Sequence, residues 1–266
     1  MIPLRKARNH PSEAKFYLLL ISLVFSAFHA LGQASDGDLP DFSPTQEGLG
    51  EELKSALQAH EEGRFQEAFA SAEMAAQSND SQALYFLGWL HESGRGTGQN
   101  TKAALEAYAK AQEAGNEEAA YRRCRILLGG EEEQRKIAAG LLATLTENNS
   151  GRAEFILGEA HLRGLLSEEK DYDAALAWWT KSAEKGETRA LISLARLREG
   201  AFGFPDKTDP AAALEYLEEA ASLGDATAMA ALGSRYLNGA EEIRDEGEGI
   251  KWLTRASEKK ISEADF

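Results

Sequence analysis

Proline is missing from almost the whole chain. The 266 residues hold six, at positions 3, 11, 40, 44, 205 and 210, so residues 45–204 and 211–266 contain none. Strand-rich chains of this size are seldom so free of proline, and the proline-free runs are dense in Ala, Leu and Glu, which are strong helix formers. An all-α chain is expected. Cysteine is scarcer: Cys124 stands alone, which excludes a disulfide scaffold and any multi-cysteine zinc or iron–sulfur site. Positive charge is short as well, with Lys+Arg 29 against Asp+Glu 44, a net of −15 that argues against nucleic acid as a partner. What is present, 43% hydrophobic, 27% charged and 8% aromatic residues, fits a soluble globular chain. It excludes a disordered, collagenous or polytopic membrane protein.

The amino terminus reads as a targeting segment. Arg5, Lys6, Arg8 and Lys15 precede an apolar run from Phe16 to Phe28, and Gly32-Gln33-Ala34 puts small residues at both recognition positions. That is the layout of a secretory signal peptide cleaved after Ala34, so a secreted or periplasmic protein beginning at Ser35 is expected. The apolar core falls short of the ~20 residues of a bilayer span, so no stable membrane span is expected after cleavage. No cysteine near the cleavage site offers a lipid anchor. Loss of residues 1–34 removes four positive and one negative charge, leaving 25 against 43, a net of −18. Residues 35–50, with two prolines, three glycines and no helical period, read as a flexible linker.

Self-similarity governs everything after Glu51. The alanines that open successive apolar stripes, Ala83, Ala119, Ala153, Ala190 and Ala228, are spaced by 36, 34, 37 and 38 residues. Four and five residues on stand Leu87-Gly88, Leu157-Gly158, Leu194-Ala195 and Leu232-Gly233, and eight on stand His91, His161, Arg198 and Tyr236. Offsets 0, 4 and 8 share one helical face. A second helix follows in each unit, with Asn100, Asp171, Asp209 and Asp245 as N-caps and Pro210 in the first helical position. Aromatic or leucine pairs at offsets 7 and 8 of these helices, among them Trp178, Trp179 and Trp252, are expected in the core. Gly115, Gly186 and Gly224 suit the left-handed position that ends a helix. Hairpins are expected at about 51–80, 81–116, 117–150, 151–187, 188–225 and 226–261. The third is degenerate, with Arg123-Cys124 in place of Leu-Gly and the acidic run Glu131–Glu133 in its loop.

The strings AxxxLGxxHxxGxGTxxN from Ala83 and DYDAALAWWTKSAEKG from Asp171 to Gly186 resemble the Sel-one-like repeat, a relative of the tetratricopeptide repeat. The resemblance covers about residues 81–260 and is weakest at 117–150. It implies a right-handed superhelix of antiparallel helix pairs, an α/α solenoid used as a protein-binding scaffold. Exported bacterial members resemble adaptors for envelope assembly, signalling or host proteins. One cysteine-rich exported branch is linked to penicillin binding and hydrolysis, and this chain lacks that branch's paired cysteines.

Residues that could carry chemistry have plainer alternatives. His91 and His161 occupy equivalent positions two repeats apart, too far to share an ion when helices pack ~8–10 Å apart. Gly94-Arg95-Gly96-Thr97-Gly98 follows a helix and lacks the closing Gly-Lys-Ser/Thr of a phosphate loop. Cys124 between two arginines is either a thiol of lowered pKa or a small buried apolar residue. No catalytic residue, cofactor or metal is nominated. Arg122, Arg123 and Arg125 form the densest positive cluster, which either pairs with Glu131–Glu133 or docks an anionic partner.

A protein or peptide partner of unknown identity is therefore expected, held on the concave surface. Offset 6 of the first helices points away from the apolar face and is occupied by Trp89, Arg125, Glu159, Arg196 and Ser234, a polar row suited to binding. Trp89 is either an anchor in that row or packs on the opening hairpin and the glycine loop. Tyr85 and Tyr121, at offset 2, lie between repeats with edges that could line the same groove. The rival readings are a cell-wall or β-lactam hydrolase and a structural subunit of an envelope or polysaccharide-export assembly. Ala264, 36 residues after Ala228, stands where a further unit would open. It raises two possibilities, a truncated chain or self-association through the C-terminal repeat.

Overall fold

A computed structural model describes residues 49–264 apart from 168 and 240, and apart from the side chains of 242 and 260–264. The expected signal peptide and cleavage site, the expected linker up to residue 48 and the side chain of Ala264 lie outside the described residues. Among these residues the chain is all-helical, with no strand. The helices are α1 (Glu51–Glu61), α2 (Phe65–Ala76), α3 (Ser81–Ser93), α4 (Thr101–Glu113), α5 (Glu117–Leu128) and α6 (Glu132–Glu147). They continue with α7 (Gly151–Leu162), α8 (Tyr172–Glu184), α9 (Thr188–Arg198), α10 (Pro210–Ser222), α11 (Ala226–Asn238) and α12 (Glu246–Ala264). None of the described helices is long and apolar enough to cross a membrane. The chain divides into two compact units between Asp171 and Tyr172.

The first helix of each repeat starts in the same way. Side chains of Asp80, Asn116, Ser150 and Asp225 accept the N–H of Ala83 at 2.8 Å, Ala119 at 2.9 Å, Ala153 at 3.3 Å and Ala228 at 2.8 Å. Each anchor alanine is thus the third helical residue, whose N–H has no intrahelical acceptor and takes the cap instead. Ahead of Ala190 stands Glu187, which makes no such cap bond to the helix. All five alanines have 0% exposure, since a methyl group is the largest side chain that lets the neighbouring helix come so near. Before each cap the chain turns through a left-handed residue: Asn79, Gly115, Asn149, Gly186 or Gly224. Asparagine and glycine are the residues that tolerate that conformation best.

A main-chain bond then closes the loop to the second helix. The N–H of Asn100, Asp171, Asp209 and Asp245 is donated to the carbonyl of His91, His161, Arg198 and Tyr236 at 2.9, 3.0, 2.7 and 2.9 Å. The donor is the residue just ahead of the second helix, and the acceptor always sits eight residues past the anchor alanine. Asn100, Asp209 and Asp245 also cap their helices, accepting the N–H of Ala103, Ala212 and Glu248. The third hairpin departs from this rule. Its carbonyl at offset 8, Leu127, accepts from Gly130 at 3.1 Å in a tight turn, and α6 begins two residues later at Glu132. The acidic run expected in that loop instead opens α6: Glu131 caps it, and Glu132 and Glu133 lie in its first turn, where they pair with Lys136.

In the unit ending at Asp171, the core joins α1 to α5, with Leu53, Ala72, Phe86, Leu90, Tyr108 and Ala119 among its members. In the other unit it joins α9 to α11 around Leu191, Leu217 and Leu232. At Gly88 and Gly233 the glycine at offset 5 is required by what lies against it. A Cβ on Gly88 would stand 2.7 Å from the Tyr108 ring, and one on Gly233 would stand 2.9 Å from the Gly249 carbonyl. Offset 8 of the second helices is core throughout, with Tyr108, Trp179, Leu217 and Leu253 all buried. Offset 7 is less buried, although Trp252 still packs against the core of its unit. Trp178 and Trp252 are half-buried, one under Lys181 at 4.5 Å and the other under Arg255 at 4.9 Å. A step of one residue turns the side chain by ~100°, which carries offset 7 to the rim of the face.

Gly88→Val should destabilise the protein by about 2 kcal/mol or more, because Tyr108 is fully buried and cannot swing aside. Gly98→Ala, with nothing within 4 Å of the added methyl, should stay within about 0.5 kcal/mol. Urea unfolding of both variants checks this, and equal losses would contradict it.

Candidate interaction notch

The residues expected to form one binding row separate into three groups. Trp89 is 1% exposed and is not a surface anchor. The His60 ring of the opening hairpin lies 5.1 Å away, Phe86 of the same helix stacks on it at 5.8 Å, and the guanidinium of Arg95 in the following loop lies 4.9 Å over the indole. Tyr85 and Tyr121 are likewise buried, at 2% and 7% exposure. Tyr85 packs on Tyr108 and accepts a hydrogen bond from Arg122 at 3.3 Å, while Tyr121 shares a 2.6 Å hydrogen bond with Ser150 beneath the Arg152 guanidinium. Arg196, in the other unit, is half-buried over the Phe202 ring. Arg125 and Glu159 are the two that the fold brings to one opening.

That opening is a cavity of about 420 Å³ at the C-terminal ends of α3, α5 and α7. It exists because the third hairpin has a short loop. In the repeats on either side, residues 94–100 and 163–171 cross between helices, whereas Gly129, Gly130 and Glu131 are all that separates α5 from α6. The missing loop leaves a notch. Glu92 and Thr101 stand on one wall, Arg163 and Leu165 on the other, and Gly129, Gly130 and Gln134 close the end. Ile126 is half-buried in the lining, Leu128, Ile156 and Ala160 back it from the core, and Arg122, Arg125 and Glu159 complete it. Its size falls within the roughly 300–1,000 Å³ of ligand pockets in general.

The charges around the notch are held by a network. The Tyr108 hydroxyl donates to the Glu92 carboxylate, and Arg122 pairs with the same carboxylate at 3.5 Å. Burial first, and then the Glu92 charge, hold the Tyr108 phenol far above its ordinary value, so it remains a donor. Burial, with Glu118 behind it, pushes Tyr85 up to about 12. Arg123 donates to Gln112 at 3.1 Å, so Arg122 and Arg123 are engaged by the preceding repeat, and Glu132 and Glu133 by Lys136. Arg125 is exposed on the notch, next to a contributor that sequence reasoning missed, the exposed Arg163.

Other groups weighed for chemistry are placed by packing. Cys124 is buried, and burial pushes its thiol up to about 12 against the weaker opposing pull of Arg123, so it is the small apolar residue. His91 lies edge-on to Phe69 at 5.1 Å, and its carbonyl and that of His161 close their loops. The Gly94–Gly98 segment is a turn docked on α2, where a Cβ on Gly96 would collide with the Phe65 carbonyl. Arg95 in that turn reaches His60, with its nitrogen 2.8 Å from His60 Nε2. A guanidinium only donates, so Nε2 accepts and the imidazole is neutral.

The Sel1 repeat matches residues 81–116, 151–187, 188–225 and 226–260, together more than half of the chain, with the notch-bearing hairpin between the first two. Chitin synthase regulatory factor 3 of Schizosaccharomyces pombe is 26% identical over 198 residues, which is 71% of this chain and 21% of that protein. The chain thus spans about a fifth of the length of this curated relative. Among solved structures it is similar to a Sel1 repeat protein from Oxalobacter formigenes, at 22% identity and TM-score 0.50 over 79% of this chain and 83% of that one. It is also similar to the Pseudomonas aeruginosa protein PA5086, at 18% identity and TM-score 0.50 over 82% and 84%. These likenesses carry the fold, an all-α solenoid of antiparallel helix pairs.

Trp89→Ala should cost about 3–5 kcal/mol of stability, as removal of a fully buried aromatic side chain usually does, and thermal melting checks it. His60 is held below 6.5 by burial and then Arg95, against Glu61, and His91 by burial, against Glu73. As pH falls through 6.5 the unfolded chain takes up protons that the folded chain refuses. Stability is therefore complete above that pH and declines below it. The urea midpoint should drop between pH 7.5 and 5.5, and a flat midpoint would contradict the placement of both rings.

Proposed function

The chain belongs to the Sel1 repeat family, and on that premise we propose that it is an exported, non-catalytic scaffold holding a protein or peptide at the notch beside α5. The observation that carries this reading is the departure of one hairpin from the closure rule. Three helix ends and a shortened loop leave about 420 Å³ of lined space. Repeat arrays expose extended surfaces suited to partners, and a notch in one repeat gives such a surface a register. The fission-yeast relative bears the name of a regulatory factor, which suits control by binding. A hydrolytic role has no comparable support: Cys124 is buried with its thiol raised, and His91 and His161 serve their loops. Export rests on the signal-like residues 5–34.

The test restores the missing loop. Replacing Gly130 by the seven residues of 94–100 should fill the notch, leave the melting temperature within a few degrees, and abolish capture of the partner that the wild-type protein retains. A folded variant that captures the same partner would overturn the reading. Amino-terminal sequencing of the secreted protein should begin at Ser35, and a retained Met1 would contradict export by cleavage. No turnover is expected with a chromogenic β-lactam or with peptidoglycan.

A further inference from the structure

We propose that the opening hairpin is an acid-released latch, in which protonation of His60 frees α2 and the 94–98 turn from the face of α3 that carries Trp89. The parts of this device share no residue with the lining of the notch. α2 has little else to hold it, since its buried residues are three alanines, Ala68, Ala72 and Ala75. So small an apolar area gives little adhesion. Two phenylalanines one turn apart do more. Phe65 meets the His60 ring of α1 at 5.2 Å, and Phe69 meets the His91 ring of α3 at 5.1 Å. The 94–98 turn is docked on the same end of α2, where a Cβ on Gly96 would collide with the Phe65 carbonyl. From that turn the Arg95 guanidinium lies 5.7 Å over Phe65 and 4.9 Å over Trp89. The hairpin also lies outside the residues that the Sel1 repeat matches.

His60 ties these parts together only in its neutral form. An Arg95 nitrogen stands 2.8 Å from Nε2, and a guanidinium has only protons to offer, so the bond lasts while Nε2 is unprotonated. A proton there sets two cations in contact within a shell of rings, Phe65, Phe86 and Trp89, at 5.1–5.9 Å. Arg95 acts on His60 from the turn and Glu61 from its own helix, while α2 and α3 present those rings. Burial and then Arg95 outweigh the Glu61 carboxylate and hold the imidazole below 6.5. His91 is the second titrating ring of the seam. Its Nδ1 is buried with no hydrogen-bond partner among the described residues, and burial outweighs the pull of Glu73 on α2. The latch is therefore closed above the ordinary histidine range and opens as pH falls below 6.5. Arg95 swings out with its turn, and α2 loses the contacts of Phe65. Release uncovers Phe86 and Trp89, which are otherwise 0% and 1% exposed.

Hydrogen–deuterium exchange of the full-length protein at pH 7.5 and 5.5, corrected for the intrinsic pH dependence of exchange, reads the latch. Protection at residues 65–76 and 94–98 should fall about tenfold at the lower pH, as in a local opening. Residues 188–258, which contain no histidine, should keep theirs. His60→Gln offers Arg95 a carbonyl oxygen that does not titrate, and should remove most of the fall, the remainder belonging to His91. Arg95→Gln removes the opposing cation and the anchor together, and should leave both segments poorly protected at either pH. A merely structural role for the pair would weaken protection in both variants alike, so protection retained at pH 5.5 by His60→Gln is the diagnostic result. Circular dichroism melts at pH 7.5 establish that each variant is folded, and if His60→Gln is not, the comparison with Arg95→Gln decides. No fall in the wild-type protein, or a full fall that survives in both variants, would overturn the latch. An equal fall at residues 188–258 would overturn it too, since acid would then be loosening the whole chain.

Discussion

One main-chain hydrogen bond sets the path of four loops in this protein. It runs from the residue ahead of the second helix to the carbonyl eight residues past the anchor alanine, at 2.7–3.0 Å in every case. Because the acceptor is a carbonyl, the side chain at that position is not specified by the bond. His91, His161, Arg198 and Tyr236 can therefore share one structural role. Loops of different length close on the same pair of groups, and those ending at Asn100, Asp209 and Asp245 also deliver a side-chain cap to the next helix. The anchor alanine works from the other end of the first helix, with its N–H capped and its methyl group fully buried. Between the two constraints the helix has little freedom in length or rotation.

The third hairpin does not make that bond, and its surface differs accordingly. Its turn closes on Gly130, no loop crosses the end of α5, and neighbouring helix ends become the walls of a notch. The same hairpin lacks the Leu-Gly pair and carries Arg123-Cys124 instead. Degeneracy in a repeat is then a source of specificity: identical repeats offer the same surface many times, and an irregular one offers a single address.

Much of this was legible in the sequence. The scarcity of proline and the spacing of five alanines announced the all-α repeat, and Asn100, Asp209 and Asp245 cap as their residue types suggested. The sequence carries a further signal, since Asp80, Asn116, Ser150 and Asp225 all stand three residues before an anchor alanine. The binding row was not legible. Helical periodicity gives the angle of a side chain about its own axis but not what a neighbouring hairpin lays over it. Trp89 and Arg125 share an offset, yet one is buried under His60 and Arg95 and the other is exposed. Arg163 escaped because it stands just beyond the periodic segment, where no offset applies. The shortness of the third loop was hidden because Glu131–Glu133 have the composition of a loop, although they form the cap and first turn of α6.

Hydrogen–deuterium exchange of the protein, alone and with its bound partner, tests the claim that the irregular hairpin is where binding occurs. Exchange should slow at residues 125–131 and 156–165, the helix ends and short turn that line the notch, and stay unchanged at residues 188–258. Slowing confined to 188–258, with the notch segments unaffected, would contradict the account.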